Sequence, residues 1–197
     1  MNLPNKLTIF RIILVPVTVL VKIFPYAQFG IDLGYYQIGS ISLPVVNVIV
    51  LVLFCVAAFT DFLDGHIARK NNLITSFGKF ADPIADKMLT TSLFVLLAVD
   101  GVLPVMALLV FLWRDIIIDG LRMVASNKGV VVAAGMLGKA KTVAQMFAII
   151  FLLLENLPFE LVGIPFTDFL IWLAVFLSIA SGVVYFNQMK EYIFESM

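Results

Sequence analysis

Apolar residues occur in six long runs along the chain, separated by short polar or glycine- and proline-containing stretches. The runs extend approximately over Thr8–Phe24, Leu43–Phe62, Asp82–Val99, Leu103–Val124, Leu137–Leu154 and Thr167–Phe186. They lack the strict alternation of a membrane β-strand, and in lipid only helices or closed barrels satisfy all their backbone hydrogen bonds. The pattern therefore predicts an all-α, polytopic membrane protein with six transmembrane helices.

The composition agrees with this pattern. Of the 197 residues, 62% are hydrophobic and only 13% are charged. No ordinary soluble domain has this composition, and a run of about 20 apolar residues can cross a bilayer. We expect a single integral membrane domain over residues 1–197. The net charge of zero gives no reason to expect a nucleic-acid partner.

The distribution of basic residues predicts the orientation in the membrane. Threading six spans places most of them on one side, namely Lys6, Arg69, Lys70, Lys79, Arg122, Lys128, Lys139, Lys141 and Lys190. The other side is mainly acidic, and Lys22 is the one base near it. Because cytoplasmic loops are enriched in lysine and arginine, we expect both the N- and C-termini in the cytoplasm.

Four aspartates lie where the second and third apolar runs meet a polar loop over residues 65–81, namely Asp61, Asp64, Asp82 and Asp86. A carboxylate near the middle of a membrane helix costs about 2.5–3.5 kcal/mol, so four of them indicate a function. Spacings of three and four residues direct each pair to one side of a helix, and Pro83 suits a first helical turn. A helical hairpin would gather oxygen ligands suited to a hard divalent cation such as Mg²⁺ or Mn²⁺.

Small and basic residues accompany these aspartates. Gly65, Ala68 and Gly78 leave room for a bulky ligand near the backbone. Arg69 offers a planar donor fork for a phosphate. Together with the carboxylates, these residues favour a site for a pyrophosphate and its metal ions at the membrane surface.

The stretch from Asp61 to Asp86 reads D-x₂-D-G-x₂-A-R-x₈-G-x₃-D-x₃-D, and it resembles the signature of the CDP-alcohol phosphatidyltransferase family at every fixed position. The opening N-L-P-N-K-L-T-I-F-R, the segment R-D-I-I-I-D-G-L-R and G-K-A-K-T at residues 138–142 are also similar to that family. The resemblance implies the CDP-alcohol phosphotransferase fold and a homodimer. It also implies that an alcohol displaces CMP from a CDP-linked lipid, with the help of divalent metal ions.

The resemblance also implies a role for each matched residue. The metal ligands for two divalent ions, Mg²⁺ or Mn²⁺, would be Asp61, Asp64, Asp82 and Asp86, and Asp86 would in addition be the catalytic base. The CDP site would consist of Gly65, Ala68, Arg69 and Gly78. The phosphate of glycerol 3-phosphate would be held by Arg114, Arg122, Lys139 and Lys141. The pocket would be closed by Asn5, Thr8 and Arg11.

These roles predict transfer of a phosphatidyl group from CDP-diacylglycerol to glycerol 3-phosphate, with CMP as the leaving group. The basic residues around Lys139 and Lys141 favour an acceptor with its own phosphate over a neutral or zwitterionic one. The membrane lipid would keep its tails in the bilayer while the polar reactants arrive from the cytoplasm. We therefore expect a multi-pass protein of the bacterial cytoplasmic membrane with its active site facing the cytoplasm.

Several alternatives stay open on the sequence. The chain could be a cardiolipin synthase or another member of the same family with a different acceptor. In a different class, the aspartates could form the ion pathway of a small cation- or proton-coupled transporter. The basic residues could serve only as orientation signals or contacts to anionic lipids, and Arg114 and Asp115 could simply neutralise each other.

Overall fold

The computed structural model describes residues 2–71, 73, 75–127, 129 and 135–194, without the side chains of residues 69, 79 and 191–194. Within these ranges the chain forms six α-helices: α1 (Leu3–Ile23), α2 (Val45–Lys70), α3 (Ser76–Val99), α4 (Val105–Asn127), α5 (Met136–Leu153) and α6 (Phe166–Phe194). Each of the six apolar runs corresponds to one of these helices. The prediction of helices for these runs is confirmed.

A short antiparallel hairpin lies between α1 and α2, in a stretch that the sequence indicated only as a polar loop. Its strands are β1 (Tyr35–Ile38) and β2 (Ile41–Pro44), and Gly39, with φ +63°, begins the two-residue turn between them. In β2, Ile41 and Leu43 are buried together with Leu157. Strands of four residues are too short for a clear alternating pattern, so the sequence did not reveal them.

The helices near the aspartates extend beyond the apolar runs. α2 continues to Lys70 and α3 begins at Ser76, so the polar loop expected over residues 65–81 is mostly helical. Pro83 consequently lies inside α3 rather than in its first turn. α1 also begins early, at Leu3, because the side chain of Asn2 caps it by accepting a hydrogen bond from a backbone N–H. Caps and polar turns extend a helix without adding to its apolar run.

The chain divides into two compact units. The first consists of Met1–Leu97 and Leu153–Ile164 and contains α1, α2, the hairpin and nearly all of α3. The second consists of Ala98–Leu152 and Pro165–Met197 and contains α4, all but the last residue of α5, and α6. α1 packs against α2 in the first unit, and α4 packs against α6 in the second. The single domain over residues 1–197 stays a prediction.

Several helices present the apolar surface of a membrane protein. Three of those in the described part are long and apolar enough to cross a bilayer, judged by length and composition, over Val45–Ala68, Met136–Leu153 and Phe166–Lys190. Large apolar side chains are exposed along one side of α6, at Phe169, Trp172, Phe176, Ile179 and Val183. A stripe of this extent is rare on a soluble monomer. These features indicate a helical membrane protein.

Candidate active site

Two of the aspartates predicted to bind metal, Asp61 and Asp64 on α2, form ion pairs with Arg11 of α1. The Nη1 of Arg11 donates to Oδ1 of Asp61, and its Nη2 donates to Oδ2 of Asp64. The side chains of Arg11 and Asp64 are 1% and 4% exposed, whereas that of Asp61 is 48% exposed. Because burying an unpaired carboxylate is costly, Arg11 provides the positive charge that allows Asp64 to be buried.

The third aspartate, Asp82 on α3, also bonds to α1. The Oγ1 of Thr8 donates to Oδ1 of Asp82 at 2.7 Å, and Thr8 is buried. Thr8 and Arg11 are three residues apart, so they face the same side of α1. One side of α1 therefore orients carboxylates of both α2 and α3.

A cavity of about 180 Å³ lies beside these groups within the first unit. It is lined by Pro4, Asn5, Thr8, Asp64, Gly65, Ala68, Leu73, Thr75, Gly78 and Asp82. The three small residues predicted for the CDP site are all among them. A Cβ on Gly78 would lie 3.5 Å from Oδ2 of Asp82 and 3.6 Å from Oδ1 of Asn5, so a methyl group there would fit in contact but occupy part of this space.

The first turn of α1 is hydrogen-bonded to the segment that joins α2 and α3. The Oγ1 of Thr75 donates to Oδ1 of Asn5 at 2.8 Å and accepts a hydrogen bond from the backbone N–H of Gly78 at 3.0 Å. Thr75 thus bonds in the manner of a helix cap to the first turn of α3. Thr75 was not among the site residues predicted from the sequence, although threonine is a common residue directly before the first turn of a helix.

Asp86 and Arg69 are the other predicted site residues in the segment from Asp61 to Asp86. Asp86 follows Asp82 by one helical turn and is partly buried, and it does not line the described cavity. The side chain of Arg69 lies outside the described residues. Among the described residues, no three acidic, histidine or cysteine side chains are grouped so as to hold a metal ion.

The chemistry of the donor set nevertheless fits a hard divalent cation. The carboxylates of Asp61 and Asp82 lie close enough to Asp64 to repel its charge. Several carboxylate oxygens and the Thr8 hydroxyl are therefore concentrated beside one cavity. The carboxylate pair on α2 has Arg11 as its counter-ion.

In the second unit, basic residues of α4 and α5 share a carboxylate. The Nζ of Lys141 lies 2.7 and 2.9 Å from the two oxygens of Asp115, and Nη1 of Arg114 lies 2.9 Å from Oδ1. The Nη2 of Arg114 donates to Oγ of Ser181 on α6 at 3.1 Å. Asp115 therefore joins two of the predicted phosphate-binding residues rather than only neutralising its neighbour.

The two lysines predicted to bind the acceptor have different surroundings. Lys141 is buried, whereas Lys139 is exposed. Residues two apart on a helix point in nearly opposite directions, so the side chains of these lysines do not share a side of α5. As far as the described residues show, the structure brings Lys141 and not Lys139 into the polar network of this unit.

Arg122 bonds to Tyr185 of α6, which was not among the site residues predicted from the sequence. Its Nη2 donates to the phenolic oxygen at 3.0 Å, and the guanidinium carbons of Arg122 and Arg114 lie 4.9 and 5.4 Å from the ring centroid. The Nε atoms of both arginines are buried and have no hydrogen-bond partner among the described residues. Unsatisfied charged donors of this kind suit an anion. No motif marks Tyr185, which lies in an apolar run.

Comparisons with known proteins give one consistent result. A family model described as CDP-alcohol phosphatidyltransferase matches residues 1–180. The chain is 44% identical over 190 residues to the CDP-diacylglycerol--glycerol-3-phosphate 3-phosphatidyltransferase of Bacillus subtilis (strain 168), covering 96% of each. Proteins of the same name from Rickettsia bellii (strain RML369-C) and Salmonella choleraesuis (strain SC-B67) are each 37% identical, over 97% and 83% of this chain and of theirs. The matched range contains the aspartates of α2 and α3 and the basic residues of α4 and α5, and it ends before Ser181 and Tyr185 of α6.

Proposed function

The chain belongs to the CDP-alcohol phosphatidyltransferase family, and we propose that it transfers the phosphatidyl group of CDP-diacylglycerol to glycerol 3-phosphate, giving phosphatidylglycerol phosphate and CMP. The observation that carries this proposal is the 44% identity, over 96% of both chains, to a relative named for these two substrates. A hydroxyl oxygen of glycerol 3-phosphate forms a bond to the phosphorus that bears the diacylglycerol. The bond from that phosphorus to CMP breaks.

Divalent metal ions belong to this proposal. The residues that would hold two ions, Mg²⁺ or Mn²⁺, are Asp61, Asp64, Asp82 and Asp86. Such ions would offset the charge of the pyrophosphate and stabilise the departing CMP oxygen. The concentration of carboxylate and hydroxyl oxygens beside the cavity supports this assignment.

Asp86 would accept the proton of the attacking hydroxyl. A positioned general base typically contributes about 10²–10⁴-fold to the rate, because an alcohol is a poor nucleophile at neutral pH. Asp86 lies four residues after Asp82 in α3, so both carboxylates face the same side of that helix. This shared direction supports its assignment as the base.

The CDP headgroup would enter the cavity of the first unit. Gly65, Ala68 and Gly78 keep that space open, and Asn5 and Thr8 border it. Arg69 would supply a donor to the pyrophosphate. The common cavity of these small residues and two of the aspartates supports the assignment.

The acceptor phosphate would bind to Arg114, Arg122 and Lys141. The buried Nε donors of both arginines support an anionic ligand rather than a neutral alcohol. The assignment of Lys139 to the acceptor site stays a prediction. Its side chain is exposed, so it is better placed to attract anions from solution than to join the hydrogen-bond network of Arg114, Asp115 and Lys141.

We further propose that the chain spans the bacterial cytoplasmic membrane six times and has both termini in the cytoplasm. A homodimer stays a prediction from the family. The basic residues on the cytoplasmic side support this topology. Lys22, the one basic residue near the opposite side, donates a hydrogen bond to Oδ1 of Asn47 at 2.6 Å. An impermeant maleimide on intact cells should label Asp100→Cys but not Ser126→Cys, both in a Cys55→Ala background. The reverse pattern would overturn the orientation.

The function is tested with purified protein, CDP-diacylglycerol and Mg²⁺, with acceptors added one at a time. Release of CMP with glycerol 3-phosphate alone supports the proposal. Release with phosphatidylglycerol instead identifies a cardiolipin synthase. No release with any alcohol overturns the enzymatic assignment and favours a transporter.

A further inference from the structure

Tyr185 is buried in the second unit, yet it carries a polar group. It is 2% exposed and packs with Ile118, Ala125 and Met189. A buried tyrosine hydroxyl normally has a hydrogen-bond partner. Here the phenolic oxygen accepts from Nη2 of Arg122 at 3.0 Å and from the backbone N–H of Gly135 at 2.8 Å.

The ring of Tyr185 also holds two arginines near each other. The guanidinium carbons of Arg122 and Arg114 lie 4.9 and 5.4 Å from its centroid. Two like charges repel, and the negative face of an aromatic ring offsets part of this repulsion. Tyr185 therefore positions both cations through its ring and one of them through its hydroxyl.

The backbone around Tyr185 leaves it little freedom. A Cβ on Gly138 of α5 would lie 3.1 Å from the phenolic oxygen and 3.3 Å from Cε2. The glycine therefore allows α5 to approach the ring closely. On α6, Ser181 accepts a hydrogen bond from Arg114 and Gly182 lies against the Arg114 stem, so this side of α6 also surrounds the second arginine.

Whether an arginine can bind an anion depends on the chemical group that already bonds to it. A carboxylate would orient Arg122 but neutralise it, whereas a phenol orients it and leaves its charge intact. Among the described residues, Arg122 has no carboxylate in an ion pair with it, and the Nε atoms of Arg122 and Arg114 have no hydrogen-bond partner. Within the described part of the chain, the arrangement places Arg122, which has no carboxylate partner, beside Arg114, which pairs with Asp115 but keeps an unbonded Nε. Both arginines thus offer buried donors to a ligand of high negative charge.

We propose that Tyr185 is a positioning residue for the acceptor phosphate. It fixes Arg122 and Arg114 as a pair, and the chain thereby selects an alcohol with a phosphate monoester. This inference rests on the proposed function, and it assigns a role to a part of α6 beyond the residues matched by the family model.

The test is the Tyr185→Phe variant of the full chain, which keeps the ring and removes only the hydroxyl. The KM for glycerol 3-phosphate should rise at least about tenfold, the size expected for loss of a hydrogen bond to a charged group. The KM for CDP-diacylglycerol should stay unchanged. Stabilisation of the protein by glycerol 3-phosphate in thermal unfolding, measured without the lipid substrate, should require a correspondingly higher concentration.

Two further variants separate positioning from packing. Gly138→Ala keeps Tyr185 but presses a methyl group against its hydroxyl, and it should raise the same KM. Met189→Ala removes an apolar side chain from the same buried cluster and leaves the hydroxyl and ring of Tyr185 in place. It should lower the melting temperature and leave the KM for glycerol 3-phosphate unchanged.

The outcomes distinguish this inference from the function on which it rests. If the wild-type protein turns over glycerol 3-phosphate and Tyr185→Phe has the same KM for it, the positioning role is wrong. An equal rise in the KM of both substrates would also overturn it. If the wild-type protein releases no CMP with glycerol 3-phosphate, the proposed function fails and this inference fails with it.

Discussion

The Nζ of Lys141 on α5 lies within 2.9 Å of both carboxylate oxygens of Asp115 on α4. Lys141 is buried, and the Asp115 side chain is 26% exposed. The pair therefore fixes one turn of α5 against α4 inside the second unit, and the same carboxylate also accepts from Arg114. Burying the charge of a lysine costs free energy, and the ion pair with Asp115 offsets part of that cost.

A double-mutant cycle measures this pair. Asp115→Asn and Lys141→Met should each lower the free energy of unfolding by about 1.5–3 kcal/mol, the range for hydrogen bonds to charged groups. The double variant should lose less than the sum, because the second change removes a group that has already lost this interaction. Unfolding in a denaturing detergent gives the energies. Strictly additive losses would contradict the coupling.

Arg11 should become less important when divalent ions are present. Arg11→Met removes the counter-ion of Asp61 and Asp64, so the melting temperature in EDTA should fall strongly. Mg²⁺ should restore much of the loss, because a bound cation would replace the missing charge. Lys6→Met, at an exposed position of the same helix, is the control. Equal losses with and without Mg²⁺ would argue against a metal site here.

Asp86→Asn tests the assignment of the base. The change preserves size but removes the proton acceptor, so turnover should fall by about 10²–10⁴-fold while the melting temperature changes little. CMP release and thermal unfolding are the two measurements. Asp168→Asn, at an exposed position in the first turn of α6, should keep full turnover. Substantial turnover of Asp86→Asn would refute the assignment.

Thr8→Val tests the orientation of Asp82. Valine has nearly the shape of threonine but lacks the hydroxyl that donates to Oδ1 of Asp82 at 2.7 Å. The Mg²⁺ concentration for half-maximal turnover should rise about tenfold, as for loss of a hydrogen bond to a charged group. Thr18→Val is the matched control, because Thr18 is also buried on α1 but bonds to a backbone oxygen. The same Mg²⁺ requirement in both variants would exclude a role of Thr8 in the site.

Gly78→Ala should separate stability from activity. A Cβ there meets its neighbours at 3.4–3.6 Å, which is ordinary contact, and alanine favours a helix by about 1 kcal/mol over glycine. The protein should therefore be as stable or slightly more stable. The KM for CDP-diacylglycerol should nevertheless rise, since the methyl group takes up cavity space. Gly120→Ala on α4, which has open space around it, should gain stability without this change in KM.

A large part of the structure could be predicted from sequence patterns that involve only residues close together in the chain. The six helices and the aspartate motif follow from the apolar runs and from residue spacing, which depend on neighbours within a few turns. Helix ends were less accurate at α2 and α3, because the apolar pattern stops before the helix does. Lys139 and Lys141 were predicted to bind the same phosphate, although their spacing of two residues already implies that they face different sides of α5.

Tertiary structure decided the partners of the charged groups. The sequence by itself determined that Asp61 and Asp64 share a helix face, but only the packing of α1 against α2 assigned them Arg11, about fifty residues earlier in the chain. Likewise, Tyr185 lies in a run that the sequence shows only as apolar. The reason is physical: sides of a membrane helix that face lipid and sides that face other helices are both apolar, so the sequence pattern does not specify which surfaces meet.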